Sequence, residues 1–231
     1  MKVISYSLWG DNPVYTIGAV RNAELAAELL PDWKCIFYCF ESVPLEYVQQ
    51  LQGLSNCIVR MVSGVGDRKS AVQRFFPAEE KEVEYLISRD TDSRLSTREV
   101  LAVNDWIAKG ADVHIMRDHP YHGVPLLAGM WGVRGDRLHG IRSYCEEFVS
   151  KTDGSYKFQD QDFLTSWVWN KIQCGQLSAT VHDPFFAKQP FPVGATRGKE
   201  NCGVWFVGQV FDENDKYNSE SDLKIVVESG L

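Results

Sequence analysis

Two aspartates two residues apart, Asp90 and Asp92, end an apolar run in "VEYLISRDTDSRLSTREVL" (residues 83–101), with Arg89 and Arg94 on either side. Carboxylates at positions i and i+2 of a turn can converge on one hard cation such as Mg²⁺ or Mn²⁺. Such an ion takes oxygen ligands and shares the rest of its shell with phosphate oxygens. The two arginines would offer bidentate donors to phosphate or hold the carboxylates in place. A bare Asp-Thr-Asp also serves as a cap for a following helix. Context favours the cation, because a strand precedes the tripeptide, a helix follows it and arginines flank it.

A second acidic group, Asp160 and Asp162 around Gln161, lies in "FQDQDFL". In the helix it opens, residues two apart do not share a face, so the two carboxylates have different jobs. One suits the helix N-terminus, where negative charge is favoured, and the other would face a cleft. "MRDHPYHG" gathers Arg117, Asp118, His119 and His122, and its His-x-x-His spacing admits a metal, although the tight turn at Pro120 disfavours a shared site. In "GMWG", Gly129 and Gly132 permit close backbone approach to a ligand, while Trp131 fits a pocket wall or the core. Gly10, Asn12 and Pro13 make a turn after the first apolar run, with Tyr15 available to stack on a base or sugar. A plain strand-to-helix turn fits the same residues. Arg21 reads as a surface charge.

These groups need a scaffold, and the sequence describes one. Apolar, β-branched or aromatic runs predict strands at 2–8, 34–40, 57–62, 83–88 and 112–116. Helical patterns alternate with them at 17–30, 44–51, 67–76 and 96–109, the last with Ser96 as N-cap, Glu99 at the capping-box position and Gly110 as its stop. The rhythm predicts a single α/β domain, a mostly parallel sheet with helices on both faces. Ligands bind such sheets at the carboxyl ends of the strands, where Asp90 and Asp92 fall. The second half is less regular: a strand at 128–133, helices at 138–149 and 158–172, a last strand at 176–181, then a loop-like stretch to 211. We take 1–211 as the domain, divided into 1–118 and 119–211, and 212–231 as a polar tail that either packs back or stays free.

The 231 residues suffice for a sizeable core, and the net charge of −7 argues against general affinity for nucleic acid. No run of 18 apolar residues exists to span a membrane, and "MKVISYSLWG" reads as a first strand rather than a signal peptide. Cys35, Cys39, Cys57, Cys145, Cys174 and Cys202 are scattered, which predicts free thiols and a cytoplasmic location.

The segment "YLISRDTDSRLSTRE" resembles the D-x-D segment of GT-A fold glycosyltransferases. With "YSLWGDNPVYTIGAVRNAELA", "VHIMRDHPYHGVPLLAGMWGVRG", "FQDQDFL" and "FVGQVFDEN", the ordered set is similar to a group of small bacterial and viral proteins. That group includes the N-terminal glycosyltransferase domain of a chlorella-virus rhamnosyltransferase. The resemblance implies a GT-A-like fold, a UDP-sugar donor (UDP-rhamnose or UDP-glucose), a glycan acceptor, retention of configuration and an Mn²⁺ or Mg²⁺ ion. It makes 1–118 the nucleotide-binding half and 119–211 the acceptor side. It assigns the metal to Asp90 and Asp92, with His182 as a third ligand. The donor would meet Gly10, Asn12, Tyr15, Arg74, Arg89, Asp90, Arg117, His119 and Arg197, with Arg68 second to Arg74 at the diphosphate. Catalysis would fall to Asp160, Gln161 and Asp162, the first two nearest the reacting sugar. A catalytically silent nucleotide-sugar or glycan-binding module fits the same residues. A haloacid-dehalogenase-type phosphatase fits less well, since its D-x-D lies on the first strand of its core and here three strands come first. A sugar-1-phosphate nucleotidyltransferase would need a denser Gly-rich basic loop than "GDNPVYTIGAVR".

Overall fold

A computed structural model describes the chain except residues 202, 218 and 231. Cys202 therefore lies outside the described residues, and Cys35, Cys39, Cys57, Cys145 and Cys174 are free thiols. Seven strands form one sheet: β1 (Lys2–Leu8), β2 (Trp33–Phe40), β3 (Cys57–Val62), β4 (Tyr85–Arg89), β5 (Val113–Met116), β6 (Met130–Arg134) and β7 (Ala179–His182). Their order is β3-β2-β1-β4-β6-β5-β7, so β4 is the central strand. The pairs β1–β2, β1–β4, β2–β3 and β5–β7 are parallel, while β6 runs antiparallel to both β4 and β5. The sheet is thus mostly parallel, as the strand–helix rhythm predicts.

Side chains alternate across each strand, and both faces are buried. Ile4, Tyr6, Cys35, Phe37, Cys39 and Ile87 point to one face. There they meet α1 (Pro13–Leu29), α2 (Leu45–Gly53) and α3 (Thr97–Lys109). Val3, Ile36, Tyr38 and Leu86 point to the other. That face is covered by a 3-10 segment (Arg68–Glu79), by α4 (Ile141–Ser150) and by a helical run. The run comprises α5 (Gln159–Phe163), a π-helical stretch (Leu164–Trp169) and α6 (Asn170–Gln173). A last helix, α7 (Glu220–Glu228), lies in the C-terminal segment and buries Val226.

The local chemistry explains where elements begin. Asn12 caps α1, its Oδ1 accepting from the Val14 amide at 3.0 Å, and Pro13 occupies the first turn. The helix therefore starts four residues before the expected Ile17. Ser96 caps α3 and Gly110 ends it with a left-handed φ of 69°. The expected α-helix over 67–76 is a 3-10 segment, Arg68–Glu79, that starts at the Asp67 capping box and carries Pro77 near its end.

Candidate active site

The carboxyl ends of β1 and β4 open into a cleft of about 610 Å³. Asp90, Thr91 and Asp92 leave the end of β4, and Trp9 to Asn12 leave the end of β1. Because β6 is antiparallel, its start adjoins the end of β4, with Arg89 opposite Met130. This brings Gly129 against the first aspartate, and a Cβ at 129 would lie 1.9 Å from Asp90 Oδ2. Only glycine leaves that carboxylate its place.

Arg74 rises from the 3-10 segment into the base of the cleft. One guanidinium nitrogen donates to Asp90 Oδ1 and, at 3.2 Å, to the Arg89 carbonyl, while the other donates to Asp160 Oδ2 at 2.7 Å. A buried cation therefore joins the acidic turn of β4 to the start of α5. Asp160 still has its carboxyl held above the usual range, by burial first, against the opposing pull of Arg74. The Asp92 carboxyl is pushed up to about 6, by burial first and then by the neighbouring charge of Asp90. Asp11, Asp90, Asp92 and Asp160 line the cleft against Arg68, Arg74 and Lys157, so negative charge exceeds positive there.

That shortfall is the test of fit for a divalent cation. Asp90 and Asp92 line one cleft, and a doubly charged ion between them would relieve the repulsion that resists ionisation of Asp92. Among the described residues no group of three or more His, Cys, Asp or Glu side chains is clustered to hold a metal. Two carboxylates with water and phosphate oxygens suit Mg²⁺ or Mn²⁺, which seldom take an all-protein cage. The residues fit the ion.

His182 does not join them. It ends β7, the edge strand, with β5 and β6 between it and β4, a separation of about 14 Å at ordinary strand spacing. Its ring is used elsewhere, with Nδ1 2.9 Å from His114 Nε2 and Nε2 3.0 Å from Asp105 Oδ2. The expected third ligand is corrected on that geometry.

Of the other expected residues, Gly10, Asn12, Tyr15, Arg68, Asp160 and Gln161 line the cleft with the two aspartates. Tyr15 has its hydroxyl pKa raised by burial and then by Asp92 and Asp90, so its ring stands near the acidic turn. Arg68 donates to the Ser155 carbonyl at 2.8 Å. Asp162 turns away and accepts from the Tyr156 hydroxyl at 2.6 Å. Asp160 and Asp162 thus face different ways, as their spacing requires.

Four further residues lie outside the cleft. Arg89 points into the interior, ion-paired with the equally buried Glu99 and donating to the Trp131 carbonyl at 3.2 Å. Arg117 pairs with Asp183 at 2.7 Å and also donates to the Val124 and Pro125 carbonyls. Arg197 pairs with Asp118 at 2.7 Å and donates to the Trp205 carbonyl at 2.6 Å. His119 is buried, its Nδ1 accepting from the Tyr121 amide and its Nε2 donating to the Asp222 carbonyl, each at 3.0 Å. In each case a nearer partner holds the side chain away from any diphosphate in the cleft.

Asn22, which no sequence motif marks, also holds the acidic turn. Its Nδ2 donates to the carbonyls of Gly18, Thr91 and Ser93 at 2.9, 3.1 and 2.7 Å, and its Oδ1 accepts from the Leu95 amide at 3.1 Å. The helix and the acidic turn touch here, since a Cβ on Gly18 would lie 2.1 Å from the Thr91 carbonyl oxygen. The available signal was one amide on the Ala-rich buried face of α1. From the other side, the Phe211 amide donates to the Asp92 carbonyl at 2.8 Å. Arg94 donates to the carbonyls of Thr91, Ser93 and Asp212 and pairs with Asp215. The turn is thus fixed by α1 and by the C-terminal segment together.

No protein-family model matches the sequence, and no curated protein matches it. Solved structures are similar in fold. A glycosyltransferase involved in the glycosylation of the major capsid of PBCV-1 aligns over 79% of this chain and 81% of its own, at 16% identity and a TM-score of 0.49. S. aureus TarS (residues 1–349) aligns over 79% of this chain and 58% of its own, at 14% identity and a TM-score of 0.50. The chain therefore spans less than two thirds of that TarS structure. The 4-diphosphocytidyl-2C-methyl-D-erythritol synthase of Anaerococcus prevotii aligns over 79% of this chain and 87% of its own, at 11% identity and a TM-score of 0.46. At such identities the likeness is one of fold, and TarS carries it. The α/β, GT-A-like architecture expected from the motifs is the one observed. Among the described residues, no helix is long and apolar enough to cross a membrane.

Proposed function

We propose that the protein transfers a sugar from a nucleoside diphosphate donor, most simply a UDP-sugar, to a glycan acceptor. The carrying observation is the convergence of Asp90, Asp92, Arg74 and Asp160 on one cleft at the end of the central strand. Asp90 and Asp92 would hold Mn²⁺ or Mg²⁺. The ion would supply positive charge where negative charge grows on the departing diphosphate. Arg74 fixes Asp90 and Asp160 relative to one another, so the cation site and the carboxylate beside the sugar keep one geometry. Asp160 and Gln161 line the same cleft and offer oxygens to a carbon passing through an oxocarbenium-like state. Tyr15, Gly10 and Asn12 line it at the end of β1, where a base or ribose would lie. A retaining course is the reading most in keeping with the D-Q-D segment, and the resemblance to the viral rhamnosyltransferase domain supports UDP-rhamnose or UDP-glucose as donor.

The test is turnover of a panel of UDP-sugars by the purified chain with Mn²⁺, followed as UDP release. Metal-dependent release from at least one donor supports transfer or its hydrolytic side reaction. Tight UDP binding with no release from any donor would instead favour a silent binding module.

A further inference from the structure

Beside the main cleft lies a second, smaller cavity of about 170 Å³. His122 and Gly208 line both, so the two spaces meet along that wall. The small cavity is walled by the turn after β5, by the loop before Val210 and by the C-terminal segment leading into α7. At that volume it falls below the roughly 300–1,000 Å³ of ordinary small-molecule pockets, too small for a nucleotide and suited to one ring.

The chemistry of its walls narrows the ligand. Gln209 is buried, its Oε1 accepts from the Trp205 amide at 2.7 Å, and its Nε2 has no partner among the described residues. Such an amide group needs an acceptor or loses its hydration for nothing. His122 accepts from the Asp118 amide through Nδ1 at 3.1 Å, which leaves the proton of the neutral ring on Nε2. Burial holds that ring neutral, with its pKa lowered to about 3. Among the described residues no Lys or Arg lines the cavity, while Asp222 does, so an anion is disfavoured. Phe206 and Tyr217 add aromatic surface. Uncharged donors and aromatic rings, with no cation to draw an anion, together suit a hydroxylated, uncharged ring.

We propose that this cavity is a subsite for one uncharged pyranose ring of the acceptor, read by Gln209 and His122 and bounded by Phe206 and Tyr217. The inference that the ring belongs to an acceptor rests on the glycosyltransferase reading of the main cleft. The binding of a pyranoside does not.

The experiment uses the full chain and four probes: the methyl pyranosides of glucose, galactose, mannose and rhamnose. Saturation-transfer NMR reports their binding, and UDP binding with Mn²⁺ is measured separately by calorimetry. At least one glycoside is expected to bind, and Gln209→Leu and Tyr217→Ala should each weaken it five-fold or more. Tyr217 is 42% exposed, so its variant keeps the test valid should Gln209→Leu lower the melting temperature. No binding of any glycoside, or binding that survives both variants, overturns the subsite. UDP binding without glycoside binding would overturn the subsite and leave the donor reading standing. Glycoside binding without UDP binding would do the reverse.

Discussion

Arg74 governs the charge balance of the site, because one buried guanidinium serves two carboxylates from different elements. Removing it leaves Asp160 buried without its partner. Arg74→Ala should therefore cost about 3–5 kcal/mol of stability, measured by denaturant unfolding. Asp92 makes an opposite prediction. Its folded carboxyl titrates at about 6 against an ordinary 3.8, so the folded state holds that proton more tightly than the unfolded one. The resulting stabilisation is full below about pH 4 and is lost as pH rises through about 6. Without added metal, Asp92→Asn should thus stabilise the protein at neutral pH by up to about 3 kcal/mol, with no gain below about pH 4. Thermal melts at the two pH values check this, and equal effects at both would contradict it. The acidic pair itself was legible, since spacing on a turn constrains two short side chains. Arg89, Arg117, His119 and Arg197 were not, because sequence names a charge without giving the direction it points. Each found a nearer partner: Glu99, Asp183, the Asp222 carbonyl or Asp118.

At the scale of elements, the acidic turn is held by α1 through Asn22 and by the C-terminal segment through the Phe211 amide. Asn22→Ala would strip the partner from the buried Leu95 amide and leave the Thr91 and Ser93 carbonyls to Arg94 alone. A loss of about 1–3 kcal/mol is expected, together with weaker Mn²⁺-dependent UDP binding. Weakened binding is the informative readout, because a purely structural role would lower stability alone. The strands of the first half were readable as short apolar runs, because both faces of the sheet are buried, and the helices by the one apolar face each turns to it. The antiparallel sense of β6 was not, because direction is fixed by which neighbour a strand finds, here β4 and β5. That reversal is what delivers Gly129 to Asp90. The start of α1 was missed because Asn12 and Pro13 serve equally in a turn and at a helix N-terminus.

Across the whole molecule, a two-sided apolar core holds the first half, and buried ion pairs pin much of the second. Asp118, wholly buried, accepts from Arg98 twice, from Arg197 and from the Val207 amide. It thereby fastens the long loop after β7 to the end of β5. Asp118→Ala would leave the buried Arg98 and the half-buried Arg197 without their carboxylate, and a loss of about 3–5 kcal/mol is expected in equilibrium unfolding. This network was not legible, since its members lie far apart in sequence and none carries a periodic signal. The central claim is that Asp90 and Asp92 hold a divalent ion that in turn holds a nucleoside diphosphate. Its most direct test is calorimetric titration of UDP with Mn²⁺ into the wild-type chain and into Asp92→Ala. Binding that needs Mn²⁺ and falls at least ten-fold in the variant is the predicted result. UDP binding that persists unchanged in Asp92→Ala, or after the metal is chelated, would contradict it.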